Sequence, residues 1–141
     1  MADDTSGNVT NYRLTATRLS PKRTRVDTGE AEFVVGKDVN PVEYFLGSVL
    51  ACLNSTGTMV ARDMDLDIEA LEMRVEGDVD YSRYKGEPST ARPGLQSLAV
   101  SLSVTADADE ATLETWLERV EDRCPVTDNV EHETDLEVEL D

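Results

Sequence analysis

Alternating apolar and polar positions predict a series of β-strands along the chain. Three short strands separated by turns are expected between residues 12 and 35, and longer strands over 68–81 and 95–106. The stretch 82–94, which is rich in Gly, Pro and Ser, predicts a loop between the two longer strands. A last alternating run, TDLEVEL at residues 134–140, predicts a closing strand.

A helix with apolar residues on nearly every face is predicted from Pro41 to about Arg62. Asn40 is a favoured N-cap residue, proline is favoured at the first helical position, and Glu43 stands where a capping box requires it. No charged residue lies between Glu43 and Arg62, which is typical of a buried helix. Small residues on one face would let a neighbouring backbone come close: Gly47, Ser48, Ala51 and Ser55.

A second, amphipathic helix is predicted to follow the strand over 95–106. Asp107 or Asp109 is its expected N-cap, and Pro125 is expected to end it directly after Cys124. Its apolar residues recur at helical spacing along one face: Leu113, Trp116, Leu117, Val120 and Cys124.

The predicted order of elements, β-β-β-α-β-β-α-β, indicates an α+β fold with helices packed on one face of a sheet. We expect a single domain over residues 1–141, in which residues 1–9 form a disordered lead-in. One subunit of this size would not cover every side of the apolar first helix. The sequence therefore predicts an obligate homodimer with a large apolar interface.

The charge balance narrows the range of partners. The chain has 30 acidic and 13 basic residues, for a net charge of −17 at pH 7. This argues against nucleic-acid binding, because that function requires a basic surface. The acidic residues are spread along the chain, so we expect a solvated acidic surface adapted to high salt, where ions screen the self-repulsion.

The first residues, MADDTSGNVTN, lack the charged and apolar regions of a signal peptide. No run approaches the roughly eighteen uninterrupted apolar residues that a membrane helix requires. We therefore expect a cytoplasmic protein without a membrane partner. A structural disulfide is unusual in that compartment, whereas a transient one can form.

The two cysteines are the strongest candidates for chemistry. Cys52, in the first helix, is either a small buried hydrophobe, which is a common fate of free cysteine, or a reactive thiol. A thiolate there needs a nearby cation, because a position in the middle of a helix gains little from the helix N-terminus. Arg23 and Arg25, on one face of a predicted strand, could provide it, and Glu43 could hold the arginine in place.

Cys124 has two comparable interpretations, core packing at a helix end or the partner thiol of Cys52. Both cysteines lie on faces predicted to point inward, but only a structure can show whether they are close enough for a disulfide. His132 is the only histidine, so a Cys-His or Ser-His-Asp site and a multi-histidine metal site have little support. The scattered glycines form no nucleotide-binding motif, and we expect no cofactor or metal.

In combination, NPVEYFLGSVLACLN and the later CPVTDNV resemble the OsmC/Ohr family of osmotically induced protein C and organic hydroperoxide resistance proteins. The resemblance covers roughly residues 12–141. It implies an intertwined α+β homodimer in which antiparallel sheets pack on two central helices. It also implies a thiol peroxidase that reduces organic hydroperoxides.

Carried over to this chain, the resemblance assigns a role to each candidate residue. Cys52 matches the peroxidatic cysteine, which attacks the peroxide and becomes a sulfenic acid, and Cys124 matches the cysteine that resolves it as a disulfide. An external dithiol then reduces the disulfide, and no cofactor is implied. Arg23, with Arg25 as the next choice, pairs with Glu43 and orients the thiolate and the peroxide.

The chain departs from the hydroperoxide-resistance branch at the start of the first helix. In that branch the glutamate directly follows the proline, whereas Val42 follows Pro41 here and Glu43 comes one residue later. One residue turns a helix by about 100°, so the Pro-x-Glu order resembles the broader OsmC-like branch. Two alternatives therefore stay open on the same scaffold: a non-catalytic dimeric ligand-binding module and a redox sensor.

Overall fold

The structure is a computed structural model that describes residues 7–141. Most of residues 1–9, for which we expected disorder, lie outside the described range, and Gly7, Asn8 and Val9 are exposed. The elements of the described chain are β1 (Thr15–Ser20), β2 (Arg23–Asp27), β3 (Glu32–Val35), α1 (Pro41–Asp63), β4 (Ile68–Val79), β5 (Leu95–Ala106), α2 (Glu110–Arg123) and α3 (Pro125–Glu131).

The α+β class and the antiparallel pairing agree with the sequence prediction. The prediction was wrong in two places near the end of the chain. Pro125 does end α2, but it also begins α3, because a proline at the first helical position loses no intrahelical hydrogen bond. The strand predicted over 134–140 is not formed, since no strand of the described chain pairs with it.

The described chain divides into two compact units, one up to Phe45 and one from Leu46 to Asp141. The first unit is an antiparallel sheet in the order β1-β2-β3. The turn after β3 depends on Gly36, which has φ of +93°, and a Cβ there would lie 1.8 Å from the carbonyl oxygen of Lys22. The ring of Tyr44 stacks on Phe33 at 5.9 Å and its hydroxyl donates a hydrogen bond to the carbonyl of Val34, so the beginning of α1 is fixed to β3.

The second unit packs the rest of α1 and α2 together with the hairpin of β4 and β5. Its core consists of Val49, Leu53, Val60, Ala61, Trp116, Val120 and Cys124, and apolar side chains of both strands pack against it. Trp116 is 1% exposed and donates a 2.9 Å hydrogen bond from Nε1 to the carbonyl of Gly57. Glycine is required there, because a Cβ would lie 2.7 Å from the indole ring.

Helix α1 is apolar over its whole length but is buried along only part of its surface. Its buried residues are Val49, Leu53, Thr56, Gly57, Val60 and Ala61. Tyr44, Phe45 and Met59 are exposed, as is the small-residue face that the sequence indicated. By length and composition alone the helix could cross a membrane, but the core helix of a soluble protein passes the same test. The exposed apolar side chains are the feature that needs an explanation.

Candidate functional site

Cys52 and Cys124 reach the same place in the second unit from different elements. Cys52 lies halfway along α1, half-buried against the core, between buried Val49 and Thr56 on neighbouring turns. Cys124 is the junction of α2 and α3 and has an extended backbone (φ −83°, ψ 113°). Its side chain is 2% exposed. Both are free thiols, and each lies near enough to the other to shift its pKa.

Polar groups from three segments surround the two sulfur atoms. The Sγ of Cys52 lies 3.8 Å from Oγ1 of Thr56, one turn further along α1. The backbone N–H of Val126, in the first turn of α3, faces both sulfurs. The backbone N–H and the hydroxyl of Thr127 lower the pKa of Cys124 only, and the hydroxyl donates a 3.3 Å hydrogen bond to the Cys124 carbonyl. None of these makes a regular capping hydrogen bond to the Cys124 side chain, so their effect on that sulfur is mainly electrostatic.

The pKa of the Cys52 thiol is raised above its ordinary value of 9.0. Burial is the main cause, since it penalises the thiolate, and the adjacent Cys124 sulfur raises the pKa further. The Val126 N–H and the Thr56 hydroxyl oppose this shift without cancelling it. In the reduced pair, ionisation of Cys52 is therefore less favourable than that of a solvated thiol.

The pKa of Cys124 moves in the opposite direction. Burial alone would raise it, but the donors around the sulfur outweigh that effect and lower the pKa below 9.0. These donors are the Thr127 hydroxyl and N–H, the Cys52 thiol and the Val126 N–H. The two directions favour ionisation of Cys124 over ionisation of Cys52.

Such a pair is chemically suited to a two-electron oxidation. One sulfur can attack an electrophilic oxygen or sulfur atom, and a second thiol nearby can displace the leaving group from the first sulfur and form a disulfide. Among residues 7–141, no group of three or more His, Cys, Asp or Glu is arranged to hold a metal ion. A groove of about 420 Å³ between α1 and β4 is lined by neither cysteine.

The other predicted site residues lie in the first unit. Arg23 and Arg25 project on one face of β2, as the alternation indicated, and both are exposed. Glu43 completes the capping box: its N–H donates to Asn40 Oδ1 at 2.9 Å, and its Oε1 accepts from the Asn40 N–H at 3.0 Å. Within the described residues no ion pair joins Glu43 to either arginine.

Sequence reasoning missed the groups that set the protonation of the thiols. Thr56 could have been found from its position, because residues four apart in a helix are neighbours. Val126 and Thr127 required recognition that Cys-Pro opens a new helix, whose first N–H groups point back toward the preceding residue. The final geometry of Cys124 depends on that short helix.

The family model for OsmC-like proteins matches residues 35–139. No curated protein sequence matches the chain. An OsmC-like protein from Mycoplasma pneumoniae has TM-score 0.77 and 18% identity, with 88% of this chain and 89% of that chain covered. An OsmC-like protein of unknown function from Vibrio cholerae has TM-score 0.70 and 11% identity, covering 89% and 96%. The organic hydroperoxide resistance protein of Bacillus subtilis has TM-score 0.57 and 17% identity, covering 88% and 93%.

At these identities the solved structures establish a common fold, and the family model establishes membership. The matched region contains α1 with Cys52, the β4–β5 hairpin, and α2 and α3 with Cys124 between them. The chain therefore belongs to the family of OsmC-like proteins.

Proposed function

We propose that this protein is a thiol peroxidase that reduces organic hydroperoxides with Cys52 and Cys124. The observation that carries the proposal is that its two free thiols lie near enough in the second unit for each to shift the pKa of the other. Family membership supports it, because structural neighbours from Bacillus subtilis and Legionella pneumophila are named organic hydroperoxide resistance proteins. The substrate class is taken from those names.

In the proposed reaction Cys52 attacks the peroxide first. It is the more accessible sulfur, since it is half-buried whereas Cys124 is 2% exposed. Attack on the terminal oxygen breaks the O–O bond, forms Cys52 sulfenic acid and releases the alcohol. Cys124 then displaces hydroxide, which leaves as water, and a Cys52–Cys124 disulfide forms. A dithiol reductant takes up the oxidising equivalents by exchange and restores both thiols.

Cys124 also has a role before this second step. Because its pKa is lowered while that of Cys52 is raised, Cys124 is the proposed acceptor of the Cys52 proton as the Cys52 sulfur attacks. The proton then passes to the departing alkoxide, so that Cys124 is again a thiolate when the sulfenic acid needs to be resolved.

Arg23 or Arg25 is proposed to orient the peroxide, with Glu43 as the carboxylate that positions the arginine. Only Oε1 of Glu43 is engaged by its capping hydrogen bond within the described residues, which leaves Oε2 for a guanidinium. We place Arg23 first and Arg25 second. No cofactor is required by this scheme, and the cytoplasm is the proposed compartment because its reductants can reopen the disulfide.

A homodimer is part of the proposal. Helix α1 exposes Tyr44, Phe45 and Met59, together with its small-residue face, over a length that an isolated soluble subunit rarely leaves uncovered. A second copy that covers this surface would explain an apolar helix in an otherwise acidic protein. Small residues let two such helices approach closely.

The test is hydroperoxide consumption by purified protein with a dithiol reductant. Wild type is expected to turn over cumene hydroperoxide, and Cys52→Ser is expected to lose this turnover because the nucleophile is gone. Cys124→Ser is expected to accumulate sulfenic acid on Cys52, which dimedone and mass spectrometry detect. Tyr84→Phe, at an 80% exposed position in the loop between β4 and β5, is the control and should keep full turnover.

Unchanged turnover in Cys52→Ser would contradict the proposal. So would formation of sulfenic acid on Cys124 in Cys52→Ser as fast as wild type reacts with the hydroperoxide, since Cys124 would then be the attacking thiol. In wild type treated with hydroperoxide, loss of two free thiols per subunit without continued hydroperoxide consumption would instead favour the redox sensor. If wild type lost no free thiol under the same treatment, the ligand-binding module would be favoured.

A further inference from the structure

Thr56 carries the one buried hydroxyl among residues 7–141. It is 8% exposed, whereas the other buried residues of α1 are aliphatic or glycine. Leu53 and Val60, which are among them, lie one turn away on the same face of the helix. A buried hydroxyl costs free energy unless it is hydrogen-bonded, and valine has nearly the same shape without that cost. Packing of the core therefore gives no reason for a threonine at this position.

The hydroxyl of Thr56 does not make the hydrogen bond that serine and threonine commonly make within a helix. Ser55, Thr58 and Thr115 each donate to a carbonyl three or four residues back along their helix, at 3.0–3.2 Å. The Oγ1 of Thr56 instead lies 3.8 Å from Sγ of Cys52. Within the described residues its side chain makes no other hydrogen bond. The hydroxyl is therefore directed at the sulfur that is proposed to attack the peroxide.

A hydroxyl suits this sulfur in both of its protonation states. It can accept a hydrogen bond from the Cys52 S–H, and it can donate one to the thiolate. A neutral sulfur is a weak acceptor, whereas a hydrogen bond to a charged acceptor is roughly twice as strong as a neutral one. The contact therefore contributes most as the sulfur loses its proton. Interactions that strengthen in this way accelerate a reaction, because they favour the transition state over the resting enzyme.

We propose that Thr56 is a positioning residue for the attack on the peroxide, with its hydroxyl orienting the Cys52 sulfur and donating a hydrogen bond to it as its proton leaves. This role rests on the proposed peroxidase function and adds a third side chain to the two thiols. Burial raises the pKa of Cys52, and the Thr56 hydroxyl is one of the groups that lower it, which agrees with such a role. The threonine is then retained at a cost in stability, as residues of active sites often are.

The test is the rate at which cumene hydroperoxide oxidises the protein, together with the pH profile of Cys52 alkylation by iodoacetamide. Thr56→Val keeps the β-branched shape and removes the hydroxyl. Oxidation should slow about tenfold, which is the lower end of the contribution of a hydrogen bond to a charged group. Alkylation of Cys52 should move to higher pH, because a group that lowers its pKa is gone. The urea midpoint should equal or exceed that of wild type, because no hydroxyl remains to be buried.

Two further variants separate the hydroxyl from the shape of the side chain and from the helix. Thr56→Ser keeps the donor and should be oxidised within about twofold of the wild-type rate, since the hydrogen bond to the sulfur can still form. Thr58→Val is the matched control, because it removes an exposed hydroxyl of the same helix that bonds to a backbone carbonyl. Its rate of oxidation and its alkylation profile should be those of wild type.

A wild-type rate of oxidation in Thr56→Val would overturn the role of Thr56 and leave the reaction of the two thiols in place. Thr56→Ser as slow as Thr56→Val would also overturn it, since the shape of the side chain would then be what matters. Equal slowing in Thr58→Val, or a lower urea midpoint in Thr56→Val, would show that the effect is structural. If wild type consumed no hydroperoxide, the peroxidase proposal would fail by itself. An unchanged alkylation profile in Thr56→Val would then still overturn the action of the hydroxyl on Cys52, and a shifted one would uphold it.

Discussion

At the scale of single residues, two identical side chains behave differently because of where helices begin. Cys52 lies in the middle of α1, where every backbone N–H is already used within the helix, so burial dominates and raises its pKa. Cys124 stands at the start of α3, where the N–H groups of Val126 and Thr127 have no intrahelical acceptor and favour the thiolate. The opposite pKa shifts therefore depend on burial at Cys52 and, at Cys124, on the Thr127 hydroxyl together with the backbone N–H groups of α3.

Replacing Cys124 tests whether its sulfur raises the pKa of Cys52. In Cys124→Ser the neighbouring sulfur that raises the pKa of Cys52 is gone, so that pKa should fall, although burial still keeps it high. Cys52 should then react faster with iodoacetamide at mildly alkaline pH than it does in wild type. The measurement is the rate of alkylation against pH, followed on Cys52 by mass spectrometry.

Thr127→Val is the complementary change, because it removes a hydroxyl that lowers the pKa of Cys124 and nearly keeps the side-chain volume. The pKa of Cys124 should rise, and its alkylation should shift to higher pH.

For the Cys124→Ser variant, a pH profile of Cys52 alkylation that is the same as in wild type would show that the two thiols are not coupled.

At the scale of elements, α1 and α2 are held in register by an indole ring. Trp116 packs on the bare backbone of Gly57 and donates its N–H to the carbonyl there. The ends of the same helices are joined by an ion pair of 2.6 Å between Arg123 and Asp63. With side chains 39% and 58% exposed, that pair contributes little, typically about 1 kcal/mol or less. The indole contact therefore fixes how Cys124 approaches Cys52.

Trp116→Phe should lower the free energy of unfolding by about 1–3 kcal/mol, because it removes a buried hydrogen bond and leaves a small void. Urea denaturation followed by circular dichroism measures this change. Tyr84→Phe is the control, since its ring is 80% exposed and its change should stay within about 0.5 kcal/mol.

Gly57→Ala tests the contact between Gly57 and Trp116 by a change in α1. Alanine is intrinsically favourable in a helix by about 1 kcal/mol, but its Cβ would lie 2.7 Å from a ring that is fully enclosed. The variant should be destabilised despite its better propensity. A stability equal to or above wild type would show that the ring does not lie against this glycine.

At the scale of the whole molecule, the net charge of −17 opposes compaction. Only two ion pairs, one of them with His132, are formed among the described residues, so most carboxylates face water without a cationic partner. Added salt shortens the reach of this repulsion from about 10 Å at 0.1 M to about 3 Å at 1 M. We propose that the protein is adapted to a salt-rich cytoplasm.

The melting temperature should therefore rise with KCl, and most of the increase should occur below about 1 M, where screening changes fastest. Differential scanning fluorimetry across a KCl series measures the trend, and a sucrose series separates screening from solute exclusion. A melting temperature that falls as KCl is added would refute the adaptation.

The elements whose stability is local were predictable. The capping box of Asn40 and Glu43 and the charge-free run behind it placed α1, and alternation placed β5. For the N-cap of α2 the sequence left two candidates, Asp107 and Asp109. In the structure Asp109 is the cap, since it accepts a hydrogen bond from the Thr112 N–H at 2.8 Å. The strand over 134–140 was mispredicted. Alternation of apolar and polar residues shows that an extended segment would have one apolar and one polar face, but a strand also needs a neighbouring strand to pair with.

The sequence by itself determined the α+β class, the family resemblance and the identity of the two candidate thiols, because helical and strand periodicity and helix caps are properties of nearby residues. Only the tertiary structure decided that Cys52 and Cys124 lie near each other and in which direction the pKa of each thiol shifts. Those outcomes depend on burial and on N–H groups of α3, which reach the two sulfurs only after the chain has folded. Contacts between residues that are distant in the sequence produce no periodic pattern from which they could be predicted.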